Sequence, residues 1–541
     1  MIRTLARLVR HALAVALVLL AAEVVWRVAV PLSEGERQNT DFIARSRLYL
    51  QPCARRDTHA GHETIVGLNP LNTGGGFVYP VAKEPGTLRL AFVGESTSVM
   101  LGGAMFNLVE GAGGRRPVEV LNCGDSGSTL EHVERRADEV LGYGPDALIV
   151  AFGHNFVMTG FPTDERALRL RSWLVRSRLI GGLARVFAPR SSQQAPAEKA
   201  DRVARLADWI DRLAGEARHR AVPLILTTVT PNYWFPPVAT DEAVYDPGLL
   251  AAVLAHARGD RAAAIERLSD LAEDSGEAYW HWTLGRYLAD IEATDRAEHE
   301  LERAVDTAEI DVDRATSAVN DTIRAAAQRH AVVLRDSERA MRAIADRVLP
   351  GWDVMRDHCH LQPRYLVSEA EALLALAVEA AGGATPATRA PGPMDESVEY
   401  VLTGLAQVQD DLAGARRRRY QEALEDFVAH WLGVAPQRTL AAIDAFLAGS
   451  VFSNLSPEGR AGALTRIAAG CLRAGRSQEG RALNERARAS GAAQAWIDLG
   501  LLHASEGDDR SAVEAFARAL DLEPARADAA FYLEHLSEKG R

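Results

Sequence analysis

The feature that most constrains the fold is a regular alternation of short apolar runs with helical segments, which begins at Thr87 and continues to about Ile149. The runs "TLRLAFVG", "VEVLNCG" and "DALIVAFG" have the length and composition of buried strands, and the segments between them have helical periodicity. Two later apolar runs, "VPLILTTVT" and "AVVLRD", each follow an amphipathic helical segment. Strands that alternate with helices predict an α/β fold with a parallel sheet covered on both faces.

The length and charge of the chain limit its organisation and its partners. A chain of 541 residues is too long for one ordinary core, so we expect two or three domains. The net charge of -12, with no basic tract that contains aromatic residues, argues against a nucleic-acid partner. The four cysteines are widely spaced and form no CxxC pair, so they predict core residues rather than a zinc site, and the sequence leaves any disulfide pairing open.

The amino terminus has the pattern of a membrane anchor. Arg3, Arg7 and Arg10 precede an apolar run that extends from 12 to 22 and, through Arg27, to Val30. We expect an uncleaved anchor over residues 1–31, with the rest of the chain outside the cytoplasm. A cleaved signal peptide and a buried amphipathic helix are the alternatives.

Two parts of the chain interrupt the alternation because they are continuously helical. Residues 496–524 match the tetratricopeptide repeat pattern at almost every signature position, and residues 281–307 contain a fainter copy. Such repeats predict a concave surface for a peptide, a protein or a polymer, although the helices can also serve only to extend the fold. The predicted organisation is an anchor (1–31), an α/β domain in two parts (86–245 and 308–382), a helical insertion (246–307), a linker (383–395) and a helical C-terminal domain (396–541).

Small polar residues follow the predicted strands. The first strand is followed by Gly94, Glu95 and Ser96, the second by "NCGDSGST" and the third by "FGHNF", while "VMRDHCHLQP" comes far later. Ligands bind parallel sheets at the carboxyl ends of the strands, which is where these clusters lie. Each cluster alone is a weak signal, since such residues are common in turns and Ser96 can also cap a helix.

Together these clusters contain the groups that acyl transfer requires. A serine hydroxyl becomes a strong nucleophile when a histidine oriented by a carboxylate removes its proton, and Asp357 and His360 are spaced to supply that pair. Oxyanion stabilisation needs hydrogen-bond donors, which the amides of Ser96 and Gly127 and the side chain of Asn155 can provide.

In this order, Gly-Glu-Ser, Asn-x-x-x-x-Gly, Gly-x-Asn and Asp-x-x-His resemble the blocks of the SGNH (GDSL-type) hydrolase superfamily. The resemblance covers roughly 86–245 and 308–382, and within the superfamily the chain looks like bacterial membrane-anchored members with tetratricopeptide repeats. It implies a flavodoxin-like three-layer α/β/α fold and cleavage or transfer of O-acyl groups. By position, Ser96 would be the nucleophile, His360 the base and Asp357 its orienting carboxylate, while Ser96, Gly127 and Asn155 would form the oxyanion hole.

The chain departs from the commonest pattern of this superfamily in three places. Glu95 stands where an aspartate is usual, Phe156 follows Asn155 where an acid is frequent, and "LQPRYL" after His360 lacks a glycine often found there. None of these changes removes a member of the predicted triad.

We therefore expect a membrane-anchored, extracytoplasmic serine esterase or O-acyltransferase that acts on an acylated glycan, lipid or small ester and needs no cofactor or metal. Its repeats would recruit a protein partner or substrate. A metal site formed by Asp357, His358 and His360 is a weaker interpretation, because no further ligand cluster accompanies these residues. The alternative function is a non-catalytic scaffold with the same fold, whose repeats mediate protein interactions in an envelope or polysaccharide assembly.

Overall fold

The structure is a computed structural model. It describes residues 51–59, 62–68, 77–109, 118–156, 196–308, 314–383, 388, 398–412 and 414–539. The predicted anchor, 1–31, lies outside these ranges, as do most of the predicted linker and residues 158–195, for which the sequence allows a lid or a membrane-facing patch. Among the described helices, none has the length and apolar character required to cross a bilayer.

Eight strands and twenty helices make up the described part of the chain. The strands are β1 (Ala54–His59), β2 (His62–Gly67), β3 (Val78–Pro80), β4 (Leu88–Gly94), β5 (Val118–Asn122), β6 (Ala147–Ala151), β7 (Leu224–Thr227) and β8 (Val333–Arg335). The helices are α1 (Ser96–Val109), α2 (Leu130–Leu141), α3 (Pro196–His219), α4 (Asp241–Val244), α5 (Pro247–Ala257), α6 (Arg261–Ser275), α7 (Ala278–Ala289), α8 (Thr294–Thr307), α9 (Ser317–His330), α10 (Ser337–Arg342), α11 (Pro363–Ala380), α12 (Val398–Asp411), α13 (Gly414–Val434), α14 (Pro436–Ala448), α15 (Ser450–Asn454), α16 (Pro457–Arg473), α17 (Ser477–Ala489), α18 (Ala493–Ser505), α19 (Asp509–Leu522) and α20 (Ala527–Lys539).

The five strands β4 to β8 form the predicted parallel sheet, in the order β5-β4-β6-β7-β8. Counted within this sheet, the order is 2-1-3-4-5, the doubly wound arrangement of flavodoxin-like folds. The prediction of an α/β domain with a parallel sheet, accompanied by helical regions, is therefore confirmed. The order also puts β4 between β5 and β6, so the loops that follow these three strands lie side by side.

Successive side chains of β4 point to opposite faces of the sheet, which explains why the domain has a sheet between two layers of helices. Leu90 and Phe92 point to a core shared with α1 and α11, whereas Ala91 and Val93 point to the opposite core, shared with α2, α3 and α9. All four side chains are completely buried. A strand with both faces covered must be apolar at every position, which is why β4 appears in the sequence as a continuous apolar run.

A second sheet and a disulfide extend the domain at its amino-terminal side. Strands β1, β2 and β3 pair antiparallel in that order. Cys53, which precedes β1, is joined by a disulfide to Cys123, which follows β5. The prediction that the cysteines are core residues is confirmed, because Cys359 and Cys471 are buried as well. The sequence did not identify which pair forms the disulfide.

The two helical regions pack as antiparallel pairs and also contact each other. Helices α4 to α8 lie between β7 and β8 in the chain, and Leu250 and Leu254 of α5 share a core with Phe516 of α19 and Tyr532 of α20. The repeat pattern places small residues where paired helices approach each other. Accordingly, a Cβ on Gly285 would lie 2.8 Å from Leu301, and one on Gly500 would lie 2.5 Å from Phe516.

This packing predicts that Gly500→Ala destabilises the protein even though alanine favours helix more than glycine does. The added methyl group must displace the Phe516 ring, and overpacking of this kind costs about 1–3 kcal/mol. The matched control is Gly404→Ala in α12, where a Cβ meets nothing within 4 Å and helix propensity should add up to about 1 kcal/mol. Urea denaturation of both variants tests the packing, and a stabilised Gly500→Ala variant would contradict it.

Candidate active site

The site begins at the junction between β4 and α1. Gly94 has φ 152°, and a Cβ at this position would lie 1.9 Å from the carbonyl oxygen of Ala151. Only glycine fits there, so the sharp turn from strand to helix depends on it. Glu95 follows, and its carbonyl accepts the N–H of Val99 at 3.1 Å, which makes Ser96 the first residue of the helix rather than its cap.

The loop after β5 is tied to this junction. Gly94 O accepts hydrogen bonds from the N–H of Asp125 at 3.0 Å and from the hydroxyl of Ser128 at 3.2 Å. Gly127 lies between these two residues and has φ 73°, a left-handed conformation that favours glycine. Gly127, whose amide is a predicted oxyanion donor, is therefore in a loop that is hydrogen-bonded to the turn before Ser96.

Glu95 ties the loop after β6 to the same junction. Its side chain is completely buried, and its carboxylate accepts the N–H groups of Gly153 at 3.1 Å, His154 at 2.7 Å and Asn155 at 2.7 Å. Burial raises the pKa of Glu95 to about 7, although the three N–H donors and the charge of His360 favour the ionised form. The predicted donor Asn155 is thus positioned by Glu95.

Asp357 and His360 lie on a tight loop between α10 and α11. Met355 and Leu361 form an antiparallel bridge, and the N–H of Arg356 donates to His360 O at 2.9 Å. Gln362 donates its N–H to Val354 O at 2.8 Å and closes the loop just before α11 begins at Pro363.

The structure brings Ser96, His360 and Asp357 into one hydrogen-bonded chain. Ser96 Oγ lies 2.8 Å from His360 Nε2, and His360 Nδ1 lies 2.8 Å from Asp357 Oδ2 and 3.0 Å from Oδ1. The side chains of His360 and Asp357 are 16% and 27% exposed, so the group is accessible from solvent. Serine, imidazole and carboxylate in this order have the geometry of a nucleophile, a base and an orienting group.

Asp357 is held in its ionised form and in one orientation. Its Oδ1 also accepts the N–H groups of Cys359 at 2.9 Å and His360 at 2.8 Å. Burial by itself would raise the pKa of Asp357, but the charge and hydrogen bond of His360, with the charges of His358 and Arg356, hold it well below its usual range. The carboxylate can therefore stabilise a positive imidazole ring.

Asn232 belongs to this site although the sequence did not identify its role. It follows β7, is completely buried, donates its side-chain amide to Asp357 O at 2.9 Å and its N–H to His358 O at 3.0 Å. The only sequence signal was its place in "TTVTPNYW" at the end of a predicted strand. Its role depends on a contact across 125 residues, which no local pattern reveals.

The other histidines near the site have different surroundings. His154 is buried, and its Nδ1 accepts the N–H of Ala315 at 3.0 Å. The ring of His358 packs edge-on against Phe235 with ring centroids 5.5 Å apart. Within the described residues, the one group of side chains arranged as metal ligands is Asp357, Cys359 and His360 rather than the trio that includes His358.

A cavity of about 420 Å³ lies elsewhere, among α13, α16 and the turns before α18 and α20. Its lining includes Arg417, Arg466 and Arg526, and it contains no member of the Ser96 group. We favour the Ser96 group as the candidate functional site because its hydrogen-bonded serine, histidine and carboxylate have the arrangement that nucleophilic catalysis requires.

No family model matches the chain, and no curated protein matches it.

The pKa of Glu95 predicts a pH-dependent stability that Glu95→Gln removes. Because the pKa is raised from 4.5 to about 7 on folding, the folded protein binds one proton more than the unfolded chain between these values, so stability falls as pH rises through this interval. The stability of the wild type relative to Glu95→Gln should decrease by about 3 kcal/mol from pH 4.5 to pH 7. Urea denaturation across this range measures the difference, and a constant difference would contradict the prediction.

Proposed function

We propose that the protein is an SGNH-type serine esterase or O-acyltransferase that acts on O-acyl esters through an acyl-enzyme on Ser96. The observation that carries the proposal is the 2.8 Å contact of Ser96 Oγ with His360 Nε2, while His360 Nδ1 contacts the carboxylate of Asp357. These are the distances that proton transfer from a nucleophile to a base requires. The ordered sequence blocks support the same reaction class.

The first half-reaction forms the acyl-enzyme. Ser96 Oγ attacks the ester carbonyl carbon while its proton passes to His360 Nε2, and Asp357 stabilises the resulting imidazolium. The tetrahedral intermediate collapses when the bond to the leaving alcohol breaks and His360 returns the proton to that oxygen. The acyl group is then on Ser96.

The second half-reaction resolves the acyl-enzyme with water or with an acceptor hydroxyl. His360 takes the proton of the incoming O–H group, the new tetrahedral intermediate forms, and Ser96 Oγ leaves with that proton. Water gives an esterase, whereas a sugar hydroxyl gives an O-acyltransferase. The substrates we propose are an acylated glycan, a lipid or a small ester.

The developing oxyanion would be stabilised by the Ser96 and Gly127 amides and the Asn155 side chain. Ser96 begins α1, so its N–H is at the positive end of a 14-residue helix. The loops that carry Gly127 and Asn155 are both anchored to the Gly94–Glu95 junction, on either side of Ser96. Each effective donor contributes roughly 100-fold to 1000-fold in rate.

We also propose an extracytoplasmic location and a recruiting role for the helical regions. The Cys53–Cys123 disulfide supports the location, because such bonds persist in oxidising compartments. The anchor at residues 1–31 would keep the enzyme at the membrane. The repeat-like helices would hold a protein partner or the acylated substrate close to the Ser96 site.

The proposal predicts that Ser96→Ala abolishes hydrolysis of aryl acetates by the purified full-length protein. Loss of the nucleophile should lower kcat by about 10⁴-fold or more, since His360 then has no hydroxyl to deprotonate. A fluorophosphonate should label the wild type at Ser96. The matched control is Ser98→Ala, a buried serine two residues later, which should retain both turnover and labelling.

A wild-type protein that neither turns over aryl acetates nor reacts with the fluorophosphonate would contradict the enzymatic proposal. It would favour the scaffold function, in which Ser96→Ala leaves the cellular phenotype intact.

A further inference from the structure

The back of the loop that carries Asp357 and His360 lies on Phe235. The Phe235 ring is completely buried, contacts the His358 ring at a centroid distance of 5.5 Å and packs against Trp352 at 5.6 Å. Asn232, three residues earlier, holds the carbonyls of Asp357 and His358. The segment 232–236 therefore holds the loop through the backbone carbonyls of Asp357 and His358 and through the His358 ring.

The C-terminal helices hold this segment in place. Arg419 of α13 donates its Nε–H to Pro236 O at 2.8 Å, and its guanidinium lies 4.8 Å from the centroid of the Phe235 ring. Only 3% of Arg419 is exposed. Tyr420 contacts the same ring edge-on at 5.4 Å. Phe235 and Trp352 consequently belong to the core of the C-terminal helices, although the chain enters that region more than 40 residues after Trp352.

Asp426, also on α13, makes a second connection. It is completely buried and accepts hydrogen bonds from Trp352 Nε1 at 2.8 Å and from Arg473 at 2.8 Å. Arg347 and Arg286 lie 3.5 and 3.6 Å away, so the carboxylate is shared by the α/β domain, the insertion and the C-terminal region. A buried charge with these partners has little freedom to move, because losing one partner leaves an uncompensated charge.

From these contacts we propose that the C-terminal helical region positions the catalytic base, with Arg419 and Asp426 as positioning residues that act through Phe235 and Trp352. The inference rests on the proposed function and goes beyond partner recruitment. It makes α13 a structural part of the active site. A displacement of about 1 Å at a reacting group can reduce a rate by about 100-fold. A ligand that shifts α13 would therefore change the activity at Ser96.

The test uses full-length protein and three variants. Arg419→Met keeps the apolar stem but removes the hydrogen bond to Pro236 and the charge over Phe235, and Arg419→Lys keeps the charge. The matched control is Arg418→Met, because Arg418 is the adjacent residue of α13 and contacts Ala239 O and the exposed Asp241 instead of Phe235. The measurements are kcat and KM for aryl acetate, the rate of fluorophosphonate labelling, and the thermal unfolding midpoint.

We expect Arg419→Met to lower kcat and the labelling rate by about tenfold or more while KM changes by less than about twofold, since the base is misplaced but the binding surface is intact. Arg419→Lys should recover most of the loss, and Arg418→Met should match the wild type. If Arg419→Met does not fold, Phe235→Leu decides the question by the same measurements.

A folded Arg419→Met or Phe235→Leu protein with wild-type kcat would overturn the inference and leave the proposed function intact. An inactive, unlabelled wild type would instead overturn the proposed function, and the inference with it. Measuring the activity and labelling of the wild-type protein first distinguishes a failure of the inference from a failure of the proposed function.

Discussion

The site depends on one set of hydrogen bonds, those that the buried carboxylate of Glu95 accepts. Three backbone N–H groups of the loop after β6 converge on it, and its own position is fixed because Gly94 allows β4 to turn sharply into α1. Burying a carboxylate is costly unless hydrogen-bond donors surround it. The loop that contains Asn155 is therefore held in the conformation that directs its N–H groups at Glu95. One residue thereby couples the position of Ser96 to that of a proposed oxyanion donor.

The second constraint is the support of the Asp357–His360 loop from behind. The loop contacts Ser96 on one side and Asn232 and Phe235 on another, and helix α13 contacts Phe235 and Pro236. The α/β domain and the C-terminal helices thus share buried structure rather than a flexible junction. Under the proposed function, this arrangement would let the C-terminal helices influence the reaction without contributing an atom to it.

Strong local patterns were enough to predict the parallel sheet and the residues of the candidate triad. Buried strands are apolar at every position, and Ser96, Asp357 and His360 occur in spaced blocks whose residue types are chemically demanding. The sequence did not predict the Cys53–Cys123 pair or the role of Asn232, because both depend on contacts between distant segments. The catalytic roles of the triad, Gly127 and Asn155 remain predictions.

The most direct test of the central claim is to trap the acyl-enzyme. Full-length protein is mixed with an aryl acetate and quenched in acid within the first turnover, and its peptides are analysed by mass spectrometry. Nucleophilic catalysis by Ser96 predicts an acetyl group on the peptide that contains this residue, and its loss in His360→Gln, which removes the base. Aryl acetate consumption without acetylation of Ser96, or acetylation that is unchanged in His360→Gln, would contradict the assignment.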